Sequence, residues 1–403
     1  MLVFHFKKLI SMMLILAIML CIIIFSSSSY QSAKDAFRLW ANNVVPSLLP
    51  FFICIELLKH TPFIKIIGKI LTPIMKPLFG VPGCGAFAIS MGMTSGYPSG
   101  GKISADLYES GACSKEEAER LLSFTNTSGP LFIISACGIA MFQSSQIGML
   151  LLITHFLASI TTGIIFRNYS SSKNYKPPAS FKSSIISQNS HKININHKIS
   201  SDTEPLTSKN IGFYMANAIQ SSISTLLLIC GYMVLAAILV NILDGLHIIH
   251  FISNFFSPLL ALLNIPIEIF SAILKGFIEV TNGLKNVSNL IGDEITILTS
   301  AAFILGFGGL SVLMQTASII AKTDLSLKPY ILGKFLHATL AAIYTYLILK
   351  HTNFLSSKIV SAFHYTQPEN ALIHESTNII TVLCFMLLLG IIIRFSRSLK
   401  RKK

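Results

Sequence analysis

Long apolar runs separated by short polar clusters set the pattern of this chain. Leu9–Phe25, Ile147–Phe166, Ser222–Leu243, Tyr330–Leu349 and Ile379–Ile393 contain no Asp, Glu or Arg, and the only Lys among them is Lys334. Most approach the ~20 residues needed to cross about 30 Å of hydrocarbon. Backbone groups in lipid must bond within their own segment, which makes these runs helices. The alternation of a membrane β-barrel is absent. The expected fold is all-α, a polytopic transmembrane helical bundle.

The runs are interrupted in an informative way. Pro46 and Pro50 should disturb the helix after the first span, with Trp40 suited to a membrane interface. Pro62–Pro77 is basic and amphipathic, as an interfacial helix would be. Pro82-Gly-Cys-Gly-Ala-Phe-Ala-Ile-Ser-Met-Gly92 then reads as an apolar half-helix. It runs into Ser95-Gly96-Tyr97-Pro98-Ser99-Gly100-Gly101-Lys102, too rich in Gly and Pro to stay helical. A polar helix is expected over Ile103–Ser110, ending at Gly111. Ser114-x-x-Glu117 is a capping box that starts a helix over Lys115–Phe124. That helix should stop at Asn126-Thr127-Ser128-Gly129-Pro130.

Shifting the first half by 184 positions brings Pro82 onto Pro266, Ala88-Ile89 onto Ala272-Ile273, Gly92 onto Gly276 and Ser99 onto Gly283. The second break is Gly276-Phe-Ile-Glu279-Val-Thr281-Asn282-Gly283. Ser128-Gly129-Pro130-Leu131 has a weaker echo in Gly308-Gly309-Leu310. Paired broken segments in corresponding positions point to a transport site between structural repeats.

Only 12% of residues are charged, against about 25% in a soluble domain. The net charge of +14 sits almost entirely in Lys7 and Lys8, in the loop Arg167–Asn210 with its net of +5, and in six Lys/Arg from Arg394 onward. Basic charge confined to loops and termini is the positive-inside signal, not a nucleic-acid surface. It places the N-terminus, the loop and the C-terminus in the cytoplasm. Each repeat then crosses an odd number of times from opposite sides, so the repeats are expected to be inverted, with broken or re-entrant helices. The expected organisation is a first transmembrane helix in 1–30, repeat 1 in 31–166 and a flexible basic cytoplasmic linker in 167–210. Repeat 2 follows in 211–350, and an outer loop, a last transmembrane helix and a basic tail in 351–403.

An ionisable residue inside lipid is costly and defaults to function, and Glu279 is the best case. Lys102 and Lys275 are candidate counter-charges for an anion. The plainer alternatives are that Lys275 pairs with Glu279 at i, i+4 and that Lys102 snorkels to the surface. Ser95, Gly96, Tyr97, Pro98, Ser99, Asn126, Ser128, Gly129, Thr281, Asn282, Gly283 and Gln315 complete the candidate substrate-binding set. Seven scattered cysteines without CxxC spacing read as small buried hydrophobes. His247 and His250 lack a partner at ligand spacing, so no metal and no cofactor is expected. No HExxH, GxSxG or P-loop is present, and the chain is not expected to be an enzyme.

The motifs Ser95-Gly96-Tyr97-Pro98-Ser99-Gly100-Gly101-Lys102, Thr125-Asn126-Thr127-Ser128-Gly129-Pro130 and Gly276-Phe-Ile-Glu279-Val-Thr281-Asn282-Gly283 occur in this order. Together they resemble the YlbJ family of sporulation integral membrane proteins, which carries the nucleoside-recognition, or Gate, domain. The resemblance covers roughly 10–395. It implies transport of dipicolinate, a small dianion, from the mother cell toward the forespore across the outer forespore membrane. The lipid bilayer and that anion are the implied partners; a homo-oligomer or sporulation partner proteins stay open. A nucleoside or nucleobase permease and a non-transporting assembly factor are the alternatives.

Overall fold

The computed structural model describes residues 2–59, 61, 63–169 and 211–351. The linker from position 170 to 210, and the outer loop, last membrane helix and basic tail from 352 onward, lie outside the described residues.

Helix α1 spans Leu2–Ile24 and α2 spans Ser26–Leu39. The chain turns by 99° between them, so the first apolar run does not end in a simple loop. At the bend Phe25 leaves the helical region (φ −98°, ψ 35°). The Ser28 hydroxyl donates to the Phe25 carbonyl at 3.2 Å, a local bond that competes with the helix ladder. A π-helical turn, Trp40–Val44, joins α2 to α3, Val45–Lys59. The prolines therefore widen the helix here and do not break it, and α3 continues through Pro50. The Trp40 indole donates to the Leu226 carbonyl at 2.9 Å. That bond anchors this turn to the second half of the chain.

Helix α4 covers Phe63–Phe79, α5 covers Gly85–Ser95 and α6 covers Ser99–Glu109. The polar helix starts four positions earlier than expected, directly after Pro98. The capping box at Ser114 and Glu117 is formed and starts α7, Lys115–Thr125. After an unwound link come a π-helical segment, Phe132–Met141, and α8, Ser145–Ile165.

The second half begins with α9, Ile211–Gly245, followed by α10, Ile248–Phe255, and α11, Ser257–Leu262. Helices α12, Ile267–Ile278, and α13, Val280–Ser288, meet at Glu279. Helices α14, Glu294–Phe307, and α15, Gly309–Ile320, meet at Gly308, and α16 spans Lys328–His351. The element order repeats at the offset of 184. So shifted, α8 falls on 329–349, within α16, and α5 falls on 269–279, over α12.

Among the described residues the chain is all-helical. Four helical stretches there are long and apolar enough to cross a membrane, or five with the bent pair Ile15–Ile24 and Ser26–Asn42. The protein is a multi-pass integral membrane protein. Its two buried apolar clusters both draw on both halves. One joins Phe87, Leu121 and Phe124 to Leu226 and Tyr330; the other joins Ile133 and Leu151 to Leu298 and Ala341. Lipid is as apolar as these side chains, so close packing and hydrogen bonds must hold the helices together. Fully buried Ala118, Ala158, Ala301 and Ala341 suit such close crossings. Of the cysteines, Cys113, Cys137 and Cys230 are buried as expected, while Cys54 is exposed and Cys21 and Cys84 are half-buried. Cys384 lies outside the described residues.

Candidate functional site

Three interruptions of helix come together. The first is Gly96-Tyr97-Pro98 between α5 and α6, where the Tyr97–Pro98 peptide is cis. Gly96 has φ +81°, and a Cβ there would stand 2.6 Å from the Gly129 nitrogen. Only glycine combines that backbone conformation with that approach. The second interruption is the link Asn126–Gly129 after α7, which lies against the first. The third is Glu279, in extended conformation between α12 and α13.

The link is held by buried side chains. Asn126 Nδ2 donates to Thr316 Oγ1 at 2.8 Å and to the Tyr330 hydroxyl at 3.1 Å. Its Oδ1 accepts from the Gly101 amide at 3.4 Å. Thr127 Oγ1 donates to the Gly92 carbonyl at 3.1 Å, and the Ser128 amide donates to His155 Nε2 at 3.1 Å. Ser128 Oγ and the Tyr97 hydroxyl share a hydrogen bond. The Ser128 bond satisfies one amide that the unwound chain exposes, and the side-chain bonds tie the link to α5, α6, α15 and α16.

A cavity of about 390 Å³ opens where the breaks meet. Ser95, Gly96 and Tyr97 wall it from the first break, Gly129 from the link, and Glu279 and Thr281 from the third; Gln315 of α15 faces it as well. Seven candidates chosen from the sequence thus line one cavity. Ser95 Oγ also donates to the Met91 carbonyl at 2.6 Å. Glu279 is 4% exposed. Its Oε2 accepts from the Asn282 amide at 2.8 Å, which caps α13. The positive end of that helix favours the carboxylate. Among the described residues no Lys or Arg forms an ion pair with it.

The remaining candidates stand elsewhere. Lys102 Nζ lies 2.6 Å from Glu56 Oε1, in a small separate crevice that Pro98 and Ser99 also line. Lys102 therefore neither snorkels free nor faces the cavity. Lys275 pairs with Asp244 of α9 at 3.0 Å, not with Glu279. One helical turn separates Lys275 from Glu279, but the chain is extended at Glu279, so the i, i+4 geometry is lost. Asn282 contributes its backbone amide, and Gly283 packs against Gly276 within the hairpin of α12 and α13. Asn126 and Ser128 sit behind the wall as its supports.

Thr94, Ser135 and Ser311, outside the sequence candidates, also line the cavity. Lys334, His155 and His337, likewise outside them, form a buried basic group. His337 Nε2 donates to the His155 carbonyl at 2.9 Å, and the two rings stand 4.3 Å apart. A signal existed for Lys334, a lone cation in an apolar run. The rule that promotes Glu279 applies to it equally.

Residues 41–171 match the family model described as Gate, nucleoside recognition. The sporulation integral membrane protein YlbJ of Bacillus subtilis (strain 168) is 34% identical over 333 residues, covering 80% of this chain and 78% of that protein. A solved structure of a CNTnw variant in an outward-facing state aligns over 86% of this chain and 85% of that one. Its TM-score is 0.45 and its identity 12%, a likeness that carries no inference about mechanism.

Proposed function

We propose a transport function, on the premise that this chain belongs to the YlbJ family of sporulation integral membrane proteins. The protein moves a small polar solute through the cavity between its two halves during spore formation. The observation that carries this reading is the meeting of three helix interruptions around one cavity of about 390 Å³. Small-molecule sites span roughly 300–1,000 Å³. In a membrane, irregular backbone is tolerated where protein buries it or a cavity receives it. A scaffold has no need of such a cavity.

Dipicolinate is the proposed solute, moving from mother cell toward forespore across the outer forespore membrane. The resemblance to sporulation proteins supports this choice. The recurrence of element order at the offset of 184 supports two repeats, and the basic charge of the N-terminus, linker and tail supports their inversion about the cavity. The basic N-terminus, linker and tail support cytoplasmic placement of both termini. Ser95, Gly96, Tyr97, Gly129, Thr281 and Gln315 are the proposed contacts.

A nucleoside permease is the second reading. Glu279 and Gln315, one acceptor and one donor–acceptor lining the same cavity, favour it, because they suit a neutral base edge. The test is a null mutant in a sporulating host, complemented with the wild-type chain and assayed for dipicolinate in spores and mother cells. Spores without dipicolinate, from mother cells that still make it, are expected in the null. Normal spore dipicolinate in the null would reject the dipicolinate reading.

A further inference from the structure

Two buried cations stand out among the described residues, Arg120 and Lys334. Arg120 is satisfied: its guanidinium donates to the carbonyls of Tyr169 and Gly80. Lys334 is not. It is 2% exposed, and among the described residues its Nζ makes one hydrogen bond, to the Asn126 carbonyl at 3.3 Å. An ammonium carries three donors, and no carboxylate forms an ion pair with this one among the described residues. Lys102 and Lys275, by contrast, are already neutralised by Glu56 and Asp244.

The surroundings ease this burial without cancelling it. Lys334 lies beside Gly308, where a Cβ would stand 3.6 Å from Nζ. That glycine closes the C-terminus of α14, whose dipole favours a cation by a fraction of its charge. The Tyr97 ring lies under the ammonium at 5.7 Å, a cation–π contact of modest strength. A second donor is idle nearby. His155 Nε2 accepts from the Ser128 amide, so the proton of the neutral ring sits on Nδ1. That buried Nδ1 has no hydrogen-bond partner among the described residues. Both groups border the link Asn126–Gly129, whose last residue faces the cavity. Tyr97 also faces the cavity, and its ring is the one over which the Lys334 ammonium sits.

We propose that Lys334 is the anion-binding residue of the transport site. A carboxylate entering the cavity displaces the Tyr97 ring and pairs with Nζ, and His155 supplies a second donor. This rests on the transport reading above and narrows its substrate class to small organic carboxylates. A purely structural lysine would serve only to hold the Asn126 carbonyl, a role that leaves the ligand's charge without consequence.

The test uses the full chain in lipid nanodiscs, titrated with dipicolinate, its uncharged diamide, benzoate, phthalate and uridine. Wild type is expected to bind dipicolinate and to reject the diamide. Lys334→Met should weaken dipicolinate binding by roughly tenfold or more, and Lys334→Arg should retain most of it. Wild-type affinity in a folded Lys334→Met protein would overturn the proposal. So would equal binding of dipicolinate and its diamide by wild type, a comparison that stands even where Lys334→Met fails to fold. Binding of benzoate or phthalate without dipicolinate would sink the dipicolinate reading and support the anion subsite. Binding of uridine alone would overturn both.

Discussion

The amide of Asn126 donates to Thr316 Oγ1 across 2.8 Å, which joins the unwound link of the first half to α15 of the second. The same side chain reaches Tyr330 on α16 and the Gly101 amide on α6. Four segments thus depend on one buried amide. Thr316 Oγ1 keeps its bond to the Val312 carbonyl at 2.9 Å, but Asn126→Ala removes this partner from the Tyr330 hydroxyl and the Gly101 amide, each at about 1–3 kcal/mol. The expected result is a clear fall in melting temperature in detergent, with loss of transport. A melting curve matching wild type would show that the link is held by other contacts.

Glu279 both caps α13 and faces the cavity, and two substitutions separate these roles. Glu279→Gln keeps an acceptor for the Asn282 amide, so its stability should stay close to wild type. Glu279→Ala removes the cap, at a cost of about 1 kcal/mol. Uptake into proteoliposomes should change in both variants if the acid meets solute. Unchanged uptake in a folded Glu279→Gln protein would reduce Glu279 to a helix cap.

Lys102 and Glu56 form a half-buried pair at 2.6 Å, away from the cavity. Lys102→Met removes the cation that faces Glu56, and Glu56→Gln removes the charge that faces Lys102, while the Ser221 hydroxyl still bonds whichever ion remains. Removing one partner of such a pair costs more than removing both. A double-mutant cycle should therefore give a favourable coupling of about 1–3 kcal/mol. Substrate selectivity should not change. A shifted ligand preference in Lys102→Met would place the lysine in the site after all.

Gly96 combines φ +81° with a close approach to the Gly129 backbone. Gly96→Ala strains both, with about 1–3 kcal/mol expected from the backbone alone. Yield of folded protein on size exclusion should drop sharply. Normal yield would mean that α5 and the link can separate cheaply.

An ion pair outside the spans predicts acid sensitivity. Asp324 accepts from the Tyr108 hydroxyl at 2.6 Å and from Lys115 Nζ at 3.0 Å. These two bonds, the tyrosine's first, hold its carboxyl below the usual aspartate range. A depressed folded value stabilises the protein above the unfolded value of about 3.9. That contribution is lost as pH falls through the folded value. The Asp324 carboxylate is exposed, so solvent screens the pair and the effect is small. Melting curves taken from neutral pH downward should fall less steeply for Asp324→Asn than for wild type.

Much of the architecture is legible along the chain. Apolar runs reveal the spans because lipid leaves no other home for them. Pro98, the Ser114–Glu117 box and the Gly-Pro cluster at Gly129 mark helix ends because caps and breakers act over a few residues. The recurrence at 184 locates the second hairpin for the same local reasons. The bend at Phe25 and the π turn before Pro46 are less legible, because each depends on how neighbouring segments pack.

Which side chains share the cavity was decided only in three dimensions. The sequence by itself determined that Glu279, Lys102, Lys275 and Lys334 are ionisable residues in or near apolar segments. The tertiary structure decided that Lys102 meets Glu56, 46 positions away, and that Lys275 meets Asp244, 31 positions away. Glu279 and Lys334 stay without an ionic partner among the described residues. The physical reason is that helix packing chooses an ion's neighbour, and nothing local in the chain encodes that choice. Charge along the sequence names the candidates, and the crossing of α6 with α3, α12 with α9 and α16 with the unwound link determines which of them remain available to a solute.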